Sequence, residues 1–316
     1  MKYVHIAPPL LFLMCLSIQA QTTQDARTLY LNGSFAESKV LFEHQLKQNP
    51  KGAEANYYLG MISMRSDLDY DKAVQYLEKA VDGDPNNAKY FFDLGQAYGL
   101  KARTSNFAIQ MITAPKVKSA FEKAVALDGT LIDARQGLLQ YYLIAPGIMG
   151  GSISKARDQA QEILKLDAFQ GYLALAGIAE KDDDVTSMEI YCSKAAEANP
   201  KSNQPYNRLG YLYLKKDRVD DAIVQFRKMV EVQPNDPNSY DSLGDGLFAK
   251  DLIDDAIDAY QKALATDPNF SPSAYNLGQC FFKKMMKADA DKYFRLYLKI
   301  APNGRYAKAV KEKLSD

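Results

Sequence analysis

A chain of 316 residues, 47% of them hydrophobic, has material for a sizeable core, and its 39 Lys and Arg balance its 39 Asp and Glu. With no sustained run of either sign it has no electrostatic footprint for nucleic acid or for an anionic membrane surface, so neither partner is expected. Of the two histidines, His5 falls in the first twenty residues, which have the form of a cleaved signal, so the mature chain keeps only His44, near the start of an expected helix. Neither a histidine-pair metal site nor a Ser-His-Asp triad built elsewhere in the chain is expected.

Residues 1–20 have the form of a cleavable secretory signal: Lys2, an apolar run interrupted by Pro8-Pro9, and small Ala20 before a polar stretch. The run is short for a span of about twenty residues, so no integral membrane segment is expected after cleavage. Leu11–Met14, ahead of Cys15, lacks the small residue that a lipidation site wants. The mature chain is therefore expected to be exported, periplasmic or secreted.

From residue 21 onward, apolar residues recur three and four apart in paired runs of about fourteen residues, the pattern of two amphipathic helices joined by a turn. Unit one, 21–52, is the most worn, with Ala26, Leu29, Gly33, Phe42 and Pro50. Unit two, 53–87, has Leu59-Gly60, Ala73 and Ala80; unit three, 88–131, has Leu94-Gly95, Tyr98, Phe121 and Ala124. Unit four, 132–168, carries Leu138, Tyr142, Ala156 and Ala160, and unit five, 169–202, carries Ala176 and Pro200.

Units six to eight, 203–236, 237–270 and 271–304, repeat one pattern every 34 residues. Its positions are Leu209-Gly210, Leu243-Gly244 and Leu277-Gly278; Ala222, Ala256 and Ala290; Phe226, Tyr260 and Phe294; and a closing Pro234, Pro268 and Pro302. The small residues allow the first and second helix of a unit to cross closely while the large ones fill the space beside them. The proline lacks the N–H needed to continue the second helix. One unit alone cannot bury both faces, whereas stacked units can, and each end needs a cover. The segment 305–316 is expected to be that cover, an amphipathic helix showing its lysines to solvent.

These residues resemble the tetratricopeptide repeat, a helix-turn-helix unit of about thirty-four residues. The resemblance implies an all-α, right-handed α-solenoid of about eight repeats with a C-terminal capping helix, and a protein or peptide partner. It implies no cofactor and no enzymatic activity, and a monomer or weak oligomer is expected.

Units three and four exceed the repeat length in the turn between their helices, across Leu100–Lys118 and Ala145–Ala156. As loops, these insertions are expected to meet on one edge, where insertions often mark a binding face. Phe107, Ile109, Met111 and Ile112 in the first and Ile148 and Met149 in the second are the apolar candidates. Gly150-Gly151 permits a tight turn, with Ser152 and Ser154 as candidate helix caps. Ala145–Ala156 is similar to a segment of exported bacterial tetratricopeptide proteins, which implies a cell-envelope setting and no activity.

Other candidate chemistry has plainer readings. Asp67, Asp69, Asp71 and Glu78 have calcium-loop spacing, but Lys72 stands in place of the required glycine. The pairs Asp182-Asp183, Asp220-Asp221 and Asp254-Asp255 recur at the turns between helices, where negative charge suits a helix start. Cys192 and Cys280 belong to units five and eight, too far apart along a stack for a disulfide, and are expected to be buried thiols.

In the family the inner surface is lined by the first helix of each unit, at its second, fifth, ninth and thirteenth positions. The resemblance places Gln136, Gln140, Asn207, Tyr211, Lys215, Asp241, Asp245, Tyr275, Gln279 and Lys283 there. Asp241 and Asp245 stand where the family's carboxylate clamp would need amides or bases, so that clamp is not expected. The function expected is a non-enzymatic scaffold of the bacterial cell envelope that binds a protein or peptide in this groove or on the insertion edge. The alternative is a receptor for a glycan or peptidoglycan fragment, which requires Tyr211 and Tyr275 to be exposed together.

Overall fold

The computed structural model describes residues 25–314; the expected signal at 1–20 lies outside them. Among the described residues every regular element is a helix, and no helix is long and apolar enough to cross a membrane. The chain divides into two compact units, one ending at Ala160 and the other starting at Gln161.

The first unit contains α1 (25–31), α2 (Phe35–Gln48), α3 (Ala53–Arg65), α4 (Tyr70–Gly83), α5 (Ala88–Thr104), α6 (Phe107–Leu127), α7 (Ile132–Ile144), a 3-10 turn at Gly147–Met149 and the start of α8 (Ile153–Leu166). Asp69, Asn87 and Asn106 cap α4, α5 and α6 by accepting the amides of Lys72, Tyr90 and Ile109, satisfying donors that helix starts leave open. Asp69 thus has a structural role within the calcium-like spacing. Close crossing depends on the small residues foreseen: a Cβ on Gly60 would lie 2.6 Å from the Leu77 side chain. One on either Gly95 or Gly137 would lie 2.7 Å from the Phe121 ring, so this ring wedges between α5 and α7.

The expected insertion loop of unit three is instead helix. α5 runs for 17 residues and α6 for 21, against 13 and 14 for α3 and α4. Phe107, Ile109 and Met111 therefore lie on the first turns of α6. Pro115 lies inside α6; a proline removes one backbone hydrogen bond and does not by itself end a helix whose face is packed. The Thr113 hydroxyl donates to the Ile109 carbonyl at 2.7 Å in the same stretch. Unit four does carry an inserted turn, and Ser152 caps the helix after it, accepting the Lys155 amide at 3.3 Å.

The second unit contains the rest of α8, then α9 (Ala168–Lys181), α10 (Val185–Ala198), α11 (Gln204–Lys215), α12 (Val219–Val232), α13 (Pro237–Ala249), α14 (Ile253–Thr266), α15 (Ser271–Lys283), α16 (Lys287–Ile300) and α17 (Ala307–Lys313). A Cβ on Gly210, Gly244 or Gly278 would come within 2.2, 2.4 and 2.4 Å of the rings of Phe226, Tyr260 and Phe294. All three rings are buried, and each contributes roughly 1.5–3 kcal/mol of apolar burial. The turns between paired helices share one geometry: Asp183, Asp217, Asp251 and Met285 have φ of 57, 58, 64 and 58°. The amide after each left-handed residue closes the helix end, as in Arg218 to the Tyr213 carbonyl at 2.8 Å and Leu252 to Leu247 at 3.0 Å.

Asp220-Asp221 and Asp254-Asp255 occupy the first turns of α12 and α14 as expected. Asp182-Asp183 does not start a helix: Asp182 ends α9, Asp183 forms the left-handed turn, and Asp184 caps α10 through the Ser187 amide. Cys192 and Cys280 are free and buried. α17 covers the last repeat with Ala307 and Val310. Lys308 and Lys311 face solvent, but Lys313 folds back over the Phe282 ring, 4.2 Å from its centroid. The aromatic face and a free amide oxygen offer that ammonium more than water alone does.

Candidate functional site

In the first unit, the extra turns of α5 and α6 stand beside α7 and the turn after it. Gly150 adopts φ 90°, and a Cβ on Gly151 would sit 1.7 Å from the Ala145 carbonyl oxygen, so this turn has room for glycine only. It is tied to α7 at two points: the Tyr141 hydroxyl donates to the Met149 carbonyl at 2.6 Å, and the Ser152 amide donates to the Tyr142 carbonyl at 2.9 Å. Between these walls lies a groove of about 600 Å³, lined by Phe107, Val117, Phe121, Tyr141, Ile144 and Met149 among others. Gln140 and Arg103 also line it, and no Asp or Glu does. Around the groove, apolar side chains face water: Phe107 is 72% exposed, Ile144 77% and Ile148 88%, whereas Ile112 is exposed on the face of α6 opposite the lining residues Gln110, Ala114 and Val117. Ile109 and Met111 are also exposed but do not line the groove. The two insertions thus do meet, as helix ends against a turn. Gln136 is half-buried and does not line the groove.

In the second unit, the residues expected to face a partner on α11, α13 and α15 largely bond to one another. Asp241, expected to be accessible, is only 6% exposed. Its Oδ1 accepts the Ser273 hydroxyl at 2.6 Å and the Asn276 amide at 3.3 Å. Asp245 accepts the hydroxyls of Tyr211 and Tyr260, both at 2.8 Å, and the Asn276 amide at 3.2 Å. Asn207 donates to the Ser242 hydroxyl at 3.4 Å. Burial, and then the charge of Asp245, push Asp241 up to about 7, against the pull of its hydrogen bonds from Ser273 and Asn276. Burial likewise raises Asp245, opposed by the two tyrosine hydroxyls. Carboxylates this well supplied with donors fasten one repeat to the next.

Lys215 and Lys283 stay at the surface and pair with Asp183 at 3.8 Å and Asp251 at 2.6 Å. Tyr275 is stacked on Tyr306, with ring centroids 4.1 Å apart, and Gln279 bridges the Tyr275 hydroxyl and the Lys313 ammonium, each at 2.9 Å. The cap therefore occupies the inner face of the last repeat. Tyr211 and Tyr275 do not form the joint open platform that a glycan receptor requires.

Sequence reasoning missed Ser242, Tyr260, Ser273 and Asn276 as members of the network. The available signal was the repeat itself, since Tyr211 and Asp245 stand 34 residues apart at equivalent positions and hydroxyl and amide groups surround the acids in the same register. It also missed Arg103, which no motif in the sequence singles out.

Two family profiles, each described as tetratricopeptide repeat, match the chain, one over residues 24–88 and 242–311 and the other over 204–236. Together they span more than half of the sequence. No curated protein matches it. Among solved structures, yeast Tom70 is similar with a TM-score of 0.68 at 17% identity, covering 90% of this chain and 58% of that one. This chain thus spans little more than half the length of that protein. A tetratricopeptide repeat protein from Parabacteroides merdae is similar with a TM-score of 0.54 at 15% identity, covering 83% of this chain and 97% of that one. At these identities the likeness concerns the fold. Helical hairpins crossing at small residues, a shared left-handed turn and matching profiles along most of the length lead to one conclusion: the chain belongs to the tetratricopeptide repeat family.

Proposed function

We propose that this protein is a non-enzymatic interaction scaffold of the bacterial cell envelope, exported on the signal at 1–20, and that it docks a partner protein on the groove edge of its first unit. The observation that carries this reading is the apolar surface around the groove, with Phe107, Ile144 and Ile148 in water. Soluble proteins rarely leave such side chains grouped unless something covers them. Asp241 and Asp245 are engaged in holding α11, α13 and α15 together. The left-over inner-face positions Lys215 and Lys283 form surface ion pairs, which are weak determinants of recognition.

The test is site-specific photo-crosslinking in the native cells, with the photoreactive residue at Ile148 in one strain and at Lys215 in another. Capture of one discrete protein from Ile148 is the expected result. Capture from Lys215 alone moves the docking site to the inner face of the second unit, and silence at both positions refutes the scaffold reading. Fractionation of the same cells, with sequencing of the mature N-terminus, tests export: the expected start is Gln21, and an intact residue 1–20 segment in the cytoplasmic fraction contradicts it.

A further inference from the structure

We infer that the groove of the first unit receives an amphipathic α-helix of the partner, oriented by an acidic side chain that pairs with Arg103. This inference rests on the scaffold reading and adds the chemistry of what is bound. Three observations carry it.

The first is the way the walls are built. Helices of a repeat stack bury their apolar stripes against the helices of the next hairpin. α5 and α6 extend one and two turns beyond their counterparts α3 and α4, while α7 has the ordinary length of 13 residues and ends at Ile144. The added turns present Ala102, Phe107, Gln110 and Ala114 to the groove, a face made for helix packing that α7 and the turn at Gly147–Met149 border on one side only. The small residues Gly99, Ala102 and Ala114 on that face let another helix axis approach to the usual 8–10 Å.

The second is the extent of the apolar surface. Ile148, next to the lining residue Met149, lies outside the groove lining yet is 88% exposed. A small apolar molecule seated in the groove would leave it in water. A helix about 10–12 Å across covers the groove and its rim together.

The third is charge. Arg103 is the only charged residue in the lining, and no ion pair engages its guanidinium among the described residues. Neighbouring cations are taken: Lys101 pairs with Asp71 at 2.6 Å, Lys116 with Glu78 at 3.4 Å and Lys118 with Glu122 at 3.3 Å. A guanidinium beside an apolar groove favours a carboxylate that meets it bidentately. The amide of Gln140, also in the lining, adds a neutral hydrogen-bonding group on α7. An acid placed at the edge of an apolar stripe satisfies Arg103 while the stripe fills the groove.

The experiment selects displayed helices against the full chain. The probe is a library of helices about fifteen residues long, with leucine at i, i+4, i+7 and i+11 and the flanking positions varied among Asp, Asn and Lys. Enrichment of Asp at one flank is expected for the wild type, with R103E inverting the preference to Lys and Ile144→Asp lowering affinity by at least about tenfold. Ile144 is 77% exposed and Arg103 is exposed, so neither change disturbs the core; circular dichroism checks this. Enrichment without charge preference, or binding that survives Ile144→Asp, overturns the inference. No enriched helix, together with a discrete crosslink from Ile148 in cells, overturns the helix occupant and leaves the scaffold reading intact. Silence at both crosslinking positions removes the scaffold reading itself.

Discussion

Replacing Asp241 by Asn is expected to make the second unit more stable at pH 8 and to flatten its stability between pH 4 and 7. Burial and the neighbouring Asp245 raise the folded carboxyl from its ordinary 3.8 to about 7. A carboxyl whose folded pKa is raised takes up protons on folding, so its contribution is full below about pH 4 and is lost as pH climbs through 7. At about 1.4 kcal/mol per pH unit, that interval sets a ceiling on the order of 4 kcal/mol for the loss. Asparagine retains an oxygen where Asp241 Oδ1 accepts from Ser273 and Asn276, and it carries no charge to desolvate. The assay is urea denaturation of both chains from pH 4 to 8, followed by far-UV circular dichroism, with amide exchange on α13 as the local readout. Carboxylates away from this pair titrate equally in both chains, so the difference curve isolates Asp241 together with its coupling to Asp245. A difference that does not change across the interval, or a variant clearly weaker at pH 8, refutes the reasoning and means that the ionised form is the one the network is built for.

Three further outcomes follow from particular contacts. Gly210→Ala places a Cβ 2.2 Å from the Phe226 ring, and a loss of about 1–3 kcal/mol is expected, read as a lower urea midpoint; an unchanged midpoint would show that α11 and α12 part without cost. Met285, at φ 58° and 93% exposed, gains nothing from its side chain, so Met285→Gly is expected to raise stability by about 1 kcal/mol through relief of left-handed strain, measured by the same titration. Burial pushes the thiols of Cys192 and Cys280 up to about 12. Neither is therefore expected to take up iodoacetamide in the folded protein at pH 8, whereas both react in urea; mass spectrometry of the intact chain distinguishes the two states.

How much of this was legible in the sequence varies from element to element. The crossing of α11 and α12 followed from residue size alone: Gly210 opposite Phe226 is a steric statement that needs no coordinates, and Gly244 with Tyr260 and Gly278 with Phe294 repeat it. Helix continuity at Pro115 was not legible, because a local rule about proline competes with a face packed on α5, and only packing decides the balance. The inner-face residues were placed on the correct helices, but the accessibility of Asp241 was misjudged. Whether Asp241 meets solvent or meets Ser273 and Asn276 depends on how closely neighbouring first helices approach, and that distance is absent from a one-dimensional pattern.

The sequence by itself therefore determined the repeat, the pairing of helices within each unit and the buried thiols, since these depend on local periodicity and on side-chain size at fixed intervals. Tertiary structure decided which polar groups are consumed internally, how α17 covers Tyr275 and Gln279, and that Arg103 stands beside an open apolar groove. Those outcomes depend on side chains separated by tens of residues arriving within hydrogen-bonding or van der Waals distance, where a shift of one ångström separates a partner from a neighbour.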